Sequence, residues 1–130
     1  MSGSISPLDD AVGLTLVSTD GGTAVLRLAP GEAAVVADEG QPFLHGGALA
    51  TCIDTAAWYA ADSASPGGWV VSSLTLDCLR LARPEPHVVR ATCRKAGRTL
   101  AVADVEIAAE ADPTRVVALG RATLARSPAG

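Results

Sequence analysis

Aromatic side chains are almost absent from this chain, which has two Trp, one Tyr and one Phe among its 130 residues. A core that lacks aromatics must be built mainly from Ala, Val and Leu, and such small side chains bury little apolar area per residue. The hydrophobic content of 48% and the charged content of 18% exclude a disordered chain. We therefore expect one domain, residues 1–130, that gains further stability by forming an oligomer.

Long apolar runs are also missing. The longest has about 16 residues and contains Asp54, so it is too short and too polar to span a membrane. The N-terminus carries Asp9 and Asp10 but no basic residue ahead of an apolar segment, which is unlike a secretory leader. These features predict a cytoplasmic protein that does not associate with membranes.

The cysteines and histidines also lack the spacing of common metal-binding sites. The three cysteines, Cys52, Cys78 and Cys93, are an odd number, and neither His45 nor His87 completes a common zinc set with them. We expect free thiols in a reducing compartment, no metal and no organic cofactor.

Basic residues are scarce in the first part of the chain. Residues 1–79 contain nine acidic residues and only Arg27, which gives −8, whereas residues 80–130 contain five acidic and nine basic residues, which gives +4 and a net charge of −4. An acidic protein of this kind is a poor nucleic-acid binder, but its basic part could hold a small polyanionic ligand. The alternative is that these arginines are solvated strand residues.

The predicted elements are a short helix, a hairpin, one long helix and a run of strands. Ser6 and Pro7 are typical of an N-cap and a first helical position, and a Gly-containing turn separates two strand-like runs. We predict strands at 14–18, 23–28, 69–81, 87–94, 99–108 and 115–124, with turns at 95–98 and 111–114. This order predicts an α+β domain in which a curved antiparallel sheet wraps around one helix.

The most informative segment begins at His45-Gly46-Gly47 and continues as an almost wholly apolar run over 48–61. A helix that is apolar nearly all round belongs in a core, and Asp54 is its only charge. An ionised carboxylate there is costly unless it is paired, hydrogen-bonded or open to water, and active sites use such perturbed carboxylates. Asp54 is therefore either a satisfied structural group or a catalytic acid.

Four segments resemble, in order, the hotdog-fold acyl-CoA thioesterases, in the branch of the phenylacetate-pathway thioesterases and thioesterase superfamily member two. They are His45-Gly-Gly with Asp54 nine residues after the His, then 72–81, 97–106 and 119–123. The resemblance covers roughly residues 10–125. It implies a hotdog fold and hydrolysis of acyl-CoA thioesters, with coenzyme A present only as part of the substrate.

The resemblance also implies a role for particular residues. The backbone N–H of Gly46 would polarise the thioester carbonyl, and Asp54 would be the nucleophile or the general base that directs water. A helix N-terminus offers unpaired N–H donors where an oxyanion develops. Ser72 or Ser73 would lie near the acyl group and could orient water. The implied substrate contacts further include Glu39, Gln41, His45, Gly47 and Trp58, and the implied CoA contacts are Thr75, Arg80, Lys95, Ala96, Gly97, Arg98 and Thr99.

Three of the ring-bearing residues have simpler interpretations. The sequence favours a structural role for His45 at the start of the helix over a role as proton carrier. Trp58, one turn after Asp54, is expected in the core or in the wall of an acyl pocket, and His87 is expected on the surface.

The spacing of Gly46 and Asp54 adds a constraint of its own. They are eight residues apart, or about 12 Å along a helix, which is too far for one chain to hold the same carbonyl with both. If both act on one thioester, they come from two antiparallel helices, which implies a two-fold homodimer with two sites across its interface. The resemblance implies the same dimer, often paired into a tetramer.

One position departs from the resemblance. Many relatives carry Asn or Gln six residues before the His, where this chain has Glu39. Either Gln41 takes over that role, or Glu39 lines the site and the second carboxylate raises the effective pKa of the pair. The leading hypothesis is a hydrolase for thioesters of aryl or short to medium acyl groups. The alternatives are a non-catalytic acyl-CoA or small-ligand binding protein and, less favoured, a hotdog dehydratase.

Overall fold

The computed structural model describes residues 6–37 and 39–127. In these ranges the chain forms two α-helices, a short 3₁₀ turn at Glu32–Ala34 and eight strands. The helices are α1 (Pro7–Val12) and α2 (Gly46–Ala64). The strands are β1 (Leu14–Asp20), β2 (Thr23–Leu28), β3 (Val35–Val36), β4 (Phe43–Leu44), β5 (Val70–Cys78), β6 (His87–Ala96), β7 (Leu100–Ala109) and β8 (Asp112–Ala125).

Six of these strands form one antiparallel sheet, in the order β1-β2-β6-β7-β8-β5, while β3 and β4 pair separately. Helix α2 packs against all six strands of the large sheet. The predicted α+β architecture, an antiparallel sheet wrapped around one long helix, is therefore confirmed.

The N-terminal part follows from local sequence signals. The Ser6 side chain accepts a hydrogen bond from the Asp9 N–H at the start of α1, and Pro7 occupies a first-turn position where no amide donor is required. The β1–β2 hairpin then turns at Gly21 and Gly22, whose φ angles of 50° and 110° favour glycine. Both predicted features are confirmed.

The core between α2 and the sheet consists largely of small side chains. Alanines of α2, among them Ala56, Ala57, Ala60 and Ala61, are fully buried, as are alanines of β7 and β8. A Cβ atom at Gly120 of β8 would collide with the Ile53 side chain and would lie 2.7 Å from the Thr75 carbonyl oxygen. The absence of that carbon lets α2 lie close to the sheet, as expected of a core poor in aromatics.

The structure corrects the prediction that His87 lies on the surface. His87 is the first residue of β6 and is fully buried, and its Nδ1–H donates a 2.6 Å hydrogen bond to the Glu85 carbonyl. The two prolines before His87 suggest a surface position. The residue instead pairs with Leu28 of β2 and Ala109 of β7, and its side chain is buried on a face of the sheet.

Several element bounds also differ from the prediction. The start of α2 agrees with the prediction, because the helix begins at Gly46 and His45 is its N-cap. Strand β5 is shorter than predicted, whereas β6 and β8 are longer, so the predicted turn at 95–98 becomes Gly97–Thr99 and the one at 111–114 moves to the end of β7.

One face of α2 is left uncovered in a single chain, and so is the adjacent β5 edge of the sheet, whose other edge is β1. Gly46, Gly47 and Asp54 are exposed along this helix face. The neighbouring strand β5 pairs only with β8, and Val70 at its start is 67% exposed. Neither helix in the described ranges has both the length and the apolar character that crossing a membrane requires.

Candidate active site

The N-terminus of α2 presents a single free amide donor. The His45 Nδ1 accepts a 2.8 Å hydrogen bond from the Gly47 N–H, and the His45 carbonyl accepts hydrogen bonds from Ala48 and Leu49. The Gly46 N–H has no acceptor among the described residues. Of the amides in the first turn, the Gly46 N–H is therefore the one available to a ligand.

Gly46, which carries this free amide, lines a groove together with the positively charged side chain of Arg80. Gly46 and Arg80 both line a groove of about 310 Å³, whose apolar wall includes Phe43 and Leu44. A Cβ atom built at Gly46 would meet nothing within 4 Å, so a ligand could approach the backbone closely. An N–H donor at the positive end of a helix, with a guanidinium nearby, suits an oxygen that acquires negative charge.

The Asp54 carboxylate is not satisfied by groups of its own chain among the residues that the structure describes. Asp54 is exposed in the single chain and has no hydrogen-bond or ion-pair partner among the described residues. Partial loss of solvation, and to a lesser extent the negative charge of Asp9, raise the pKa of its carboxyl above the ordinary value. An unpaired carboxylate with a raised pKa can serve as a base or a nucleophile.

Asp54 lines a second groove, of about 410 Å³, between α1, α2 and β5. Its walls include Gly47 and Thr51 of α2 and Leu74 of β5. Because Gly46 lines the other groove and lies about 12 Å away along the helix, one chain does not bring the two predicted catalytic groups to a common point.

A second carboxylate in the Asp54 groove was missed by sequence reasoning. Asp9 of α1 is only 1% exposed, and its carboxylate accepts hydrogen bonds from Thr55 Oγ1 at 2.7 Å and Ser6 Oγ at 2.9 Å. The spacing Ser-x-x-Asp is a helix-start signal, so the sequence explains the position of Asp9 but carries no sign that it packs against α2.

The other predicted substrate contacts are dispersed. Glu39 and Gln41 are exposed in the connection before β4, and neither lines the groove of Gly46 or that of Asp54. Trp58 is half-buried on α2, where its Nε1–H donates a 2.9 Å hydrogen bond to the Trp69 carbonyl. The question of whether Glu39 or Gln41 positions water therefore stays a prediction.

The predicted contacts on β5 lie away from the Asp54 groove in the same chain. Ser73 and Thr75 pair with Thr123 and Arg121 of β8, and Thr75 Oγ1 accepts a hydrogen bond from the Arg121 N–H. Since side chains alternate along a strand, Thr75 lies on the opposite face from Leu74. The Ser72 hydroxyl donates to the Thr123 carbonyl at 3.0 Å. Roles for these residues in binding stay predictions.

The predicted CoA-binding turn lies at the C-terminal end of α2, opposite the Gly46 end. Arg126 connects this turn to the end of the helix. Its guanidinium donates hydrogen bonds to the carbonyls of Gly97 and Arg98 in the turn. It also donates to the carbonyl and the hydroxyl of Ser65, the C-cap residue of α2. The Gly97 N–H is already bound to the Leu100 carbonyl, so this amide is not free for a phosphate.

The cations of the basic half divide into paired and unpaired groups. Arg121 and Arg94 both contact Asp104 and hold the pKa of its carboxyl below the ordinary value. Outside this half, Arg27 pairs with Glu110. Of the predicted CoA contacts, the cations Arg80, Lys95 and Arg98 form no salt bridge in the part of the chain that the structure describes. The same is true of Arg83, Arg90 and Arg115, so the predicted contacts are not the only unpaired cations among these residues.

No three His, Cys, Asp or Glu side chains in residues 6–37 and 39–127 are placed to hold a metal ion. All three cysteines are free thiols. Burial, and then the charge of Asp9, raise the pKa of Cys52 to about 12, so this thiol stays protonated.

A six-stranded antiparallel sheet around one helix, with a free glycine amide at the helix N-terminus and an unpaired carboxylate eight residues later, defines a hotdog protein of the thioesterase class. The thioesterase superfamily profile matches residues 41–116, which include both groups. The chain belongs to the thioesterase superfamily.

Solved structures support the same assignment. The chain is 28% identical to a conserved protein of Pseudomonas aeruginosa, with a TM-score of 0.82 and coverage of 95% of each chain. It is 30% identical to the PaaI protein of the E. coli phenylacetic acid degradation operon, with a TM-score of 0.80 and coverage of 94% of this chain and 85% of that one. It is 27% identical to zebrafish thioesterase superfamily member 2, with a TM-score of 0.80 and coverage of 94% and 88%. No curated protein sequence matches at a significant level.

Proposed function

We propose that this protein hydrolyses acyl-CoA thioesters to the free acid and CoA. The observation that carries the proposal is that the one free amide of the first turn of α2, Gly46 N–H, and the unpaired carboxylate of Asp54 share the uncovered face of that helix. An amide donor can stabilise the oxyanion of thioester hydrolysis, and a carboxylate can act as its base or nucleophile.

The two groups reach one thioester when two protomers pair about a two-fold axis. Antiparallel α2 helices would place Gly46 of one protomer against Asp54 of the partner subunit, which overcomes the separation of about 12 Å within a chain. The uncovered helix face and the unpaired edge of β5 are adjacent and would both be covered by such a pairing. An exposed edge strand of nine residues is otherwise a liability for aggregation.

In this arrangement the carbonyl oxygen accepts a hydrogen bond from Gly46 N–H as negative charge develops on it. Asp54 of the partner subunit then acts in one of two ways. As a general base it removes a proton from the water that attacks the carbonyl carbon; as a nucleophile it forms an anhydride that water cleaves. In both routes the C–S bond breaks, and CoA leaves as the thiolate and takes up a proton. In the general-base route the acid gains the oxygen of water, whereas in the nucleophile route that oxygen enters the acid or the Asp54 carboxylate, according to which carbonyl of the anhydride water attacks.

The same pairing suggests a path for CoA. Arg80 lies beside Gly46, while the turn Gly97–Thr99 of the partner subunit would lie about 15 Å beyond the reacting carbonyl, since ten residues separate Asp54 from the end of α2. The unpaired cations Arg80, Lys95 and Arg98 suit the phosphates of CoA.

The direct test is a panel of aryl, short-chain and medium-chain acyl-CoAs, assayed with a thiol reagent that detects released CoA. We expect turnover with at least one of them, and we expect Asp54→Asn to abolish it while the dimer and CoA binding persist. Near-normal activity in that variant would remove Asp54 from the chemistry.

A mixing experiment tests the shared site. We expect Gly46→Pro and Asp54→Asn to be inactive separately, whereas a hybrid dimer has one site with an intact Gly46 and an intact Asp54. Random 1:1 mixing should therefore restore about a quarter of the wild-type activity. A site contained within one chain would give no recovery, and sedimentation of the same samples would distinguish dimers from the predicted dimers of dimers.

The second candidate function is a non-catalytic acyl-CoA binding protein. Glu39 favours it, since a carboxylate stands where many similar proteins carry an amide. Measurable CoA affinity without turnover across the panel would support this candidate over the hydrolase.

A further inference from the structure

Asp9 is a buried carboxylate in an unusual setting. It is 1% exposed, and its oxygens are held by the Thr55 and Ser6 hydroxyls at 2.7 and 2.9 Å. No cation pairs with it among the described residues. Burying a carboxylate without a counter-charge is costly even when it accepts hydrogen bonds. The negative charge of Asp9 therefore does not stabilise the fold.

The position of Asp9 connects it to the proposed active site. Asp9, Ser6 and Thr55 line the same groove of about 410 Å³ as Asp54. Thr55, which donates the shorter hydrogen bond, is the neighbour of Asp54 on α2. The two hydroxyls fix the Asp9 carboxylate against the helix, so its orientation relative to Asp54 does not depend on a flexible side chain.

Other charged groups around Asp54 are absent from the described part of this groove. Strand β5 contributes the apolar Leu74, and α1 contributes Asp9 alone as a titratable group. On α2 itself, burial and then the charge of Asp9 raise the pKa values of Cys52, Asp54 and Tyr59, and the thiol and the phenol remain protonated near pH 7. Among the described residues that line this groove, Asp9 is the one charged group other than Asp54.

We propose that Asp9 is a positioning residue whose fixed negative charge sets the pH range in which Asp54 works. The inference rests on the proposed role of Asp54 in hydrolysis. A neighbouring negative charge disfavours ionisation of Asp54, so its proton is held to higher pH and the resulting carboxylate is a stronger base.

The test compares two variants that separate the effect of the Asp9 charge from that of its hydrogen bond with Thr55. Asp9→Asn keeps the size of the side chain and an acceptor for the Thr55 hydroxyl but removes the charge. Thr55→Val removes the hydrogen bond but keeps the charge. We expect the acidic limb of kcat/KM to move down by about half a pH unit or more in Asp9→Asn, so that relative activity on that limb rises about threefold. Thr55→Val should not move the limb downward.

A second measurement does not depend on turnover. The Asp54 carboxyl can be titrated by ¹³C NMR, with Asp54→Asn to assign its resonance, and its midpoint should be lower in Asp9→Asn than in the wild type. If the wild type hydrolyses no thioester but this midpoint moves, the proposed function fails while the influence of Asp9 stands.

Equal Asp54 midpoints with and without the Asp9 carboxylate would overturn the inference and leave Asp9 as a structural link between α1 and α2. If Asp9→Asn does not fold, Asp9→Leu, which places an apolar side chain of similar size in the buried position, serves for the same titration with the same two outcomes.

Discussion

The Nδ1 atom of His45 accepts a 2.8 Å hydrogen bond from the Gly47 N–H and thereby caps α2. Since Nδ1 is the acceptor, the ring proton is on Nε2. We expect His45→Ala to lower the free energy of unfolding by about 1 kcal/mol, the usual effect of losing an N-cap. His45→Asn, whose side-chain oxygen can accept the same bond, should recover most of the loss in urea denaturation. Equal losses in both variants would show that the cap contributes little.

The role of the Gly46 amide can be separated from the size of its side chain. Gly46 is the first residue of α2, where proline is tolerated, and His45 already has the extended conformation that proline requires before it. Gly46→Pro removes the N–H, and Gly46→Ala adds bulk but keeps it. If the amide stabilises the oxyanion, kcat should fall by about 10²–10³-fold more in the proline variant than in the alanine variant. Equal kcat values in two variants that circular dichroism shows to be folded would exclude the Gly46 amide from oxyanion stabilisation.

The raised pKa of Asp54 also predicts a stability effect. The folded protein holds this proton more tightly than the unfolded chain, whose ordinary value is 3.8, so the contribution of Asp54 to stability falls as the pH rises from that value through the raised one. Asp54→Asn should therefore have a higher Tm than the wild type at pH 7. The gain should disappear near pH 3, where Asp54 is protonated in both states.

Arg126 is expected to be the most important surface cation for stability. Its guanidinium carbon lies 4.0 Å from the centre of the Trp69 ring, and the same group caps the C-terminal end of α2 through Ser65. We expect Arg126→Ala to lower the free energy of unfolding by about 2 kcal/mol, as charged hydrogen bonds and a cation–π contact are lost together. Arg27→Ala, which removes an exposed pair with Glu110, should cost less than about 1 kcal/mol. Comparable losses would contradict this ranking.

Local patterns were sufficient for the fold because its main elements carry local signals. Ser6-Pro7 marks the start of α1, the two glycines mark the first hairpin, and the apolar run marks α2. The burial of His87 could not be predicted in this way, since it depends on pairing with strands that are distant in sequence.

The candidate site shows the same division. The spacing of Gly46 and Asp54 was visible in the sequence, and so was the consequence that one chain cannot bring them together. The presence of Asp9 beside Asp54 was not visible, because it follows from the packing of α1 on α2 through the Thr55 hydrogen bond. Contacts between a short terminal helix and the centre of a fold leave no periodic trace in sequence.

The closeness of α2 to the sheet limits how substrate preference can change. The face of α2 that packs on the sheet is lined by buried alanines and lies so close to Gly120 that a larger residue there would collide with Ile53. In the proposed hydrolase, the space for an acyl group would therefore be enlarged or reshaped at the Asp54 groove, which Leu8 and Leu74 line. A change of substrate preference in the proposed hydrolase should therefore leave the α2 alanines and Gly120 unaltered and should replace residues of α1 and β5.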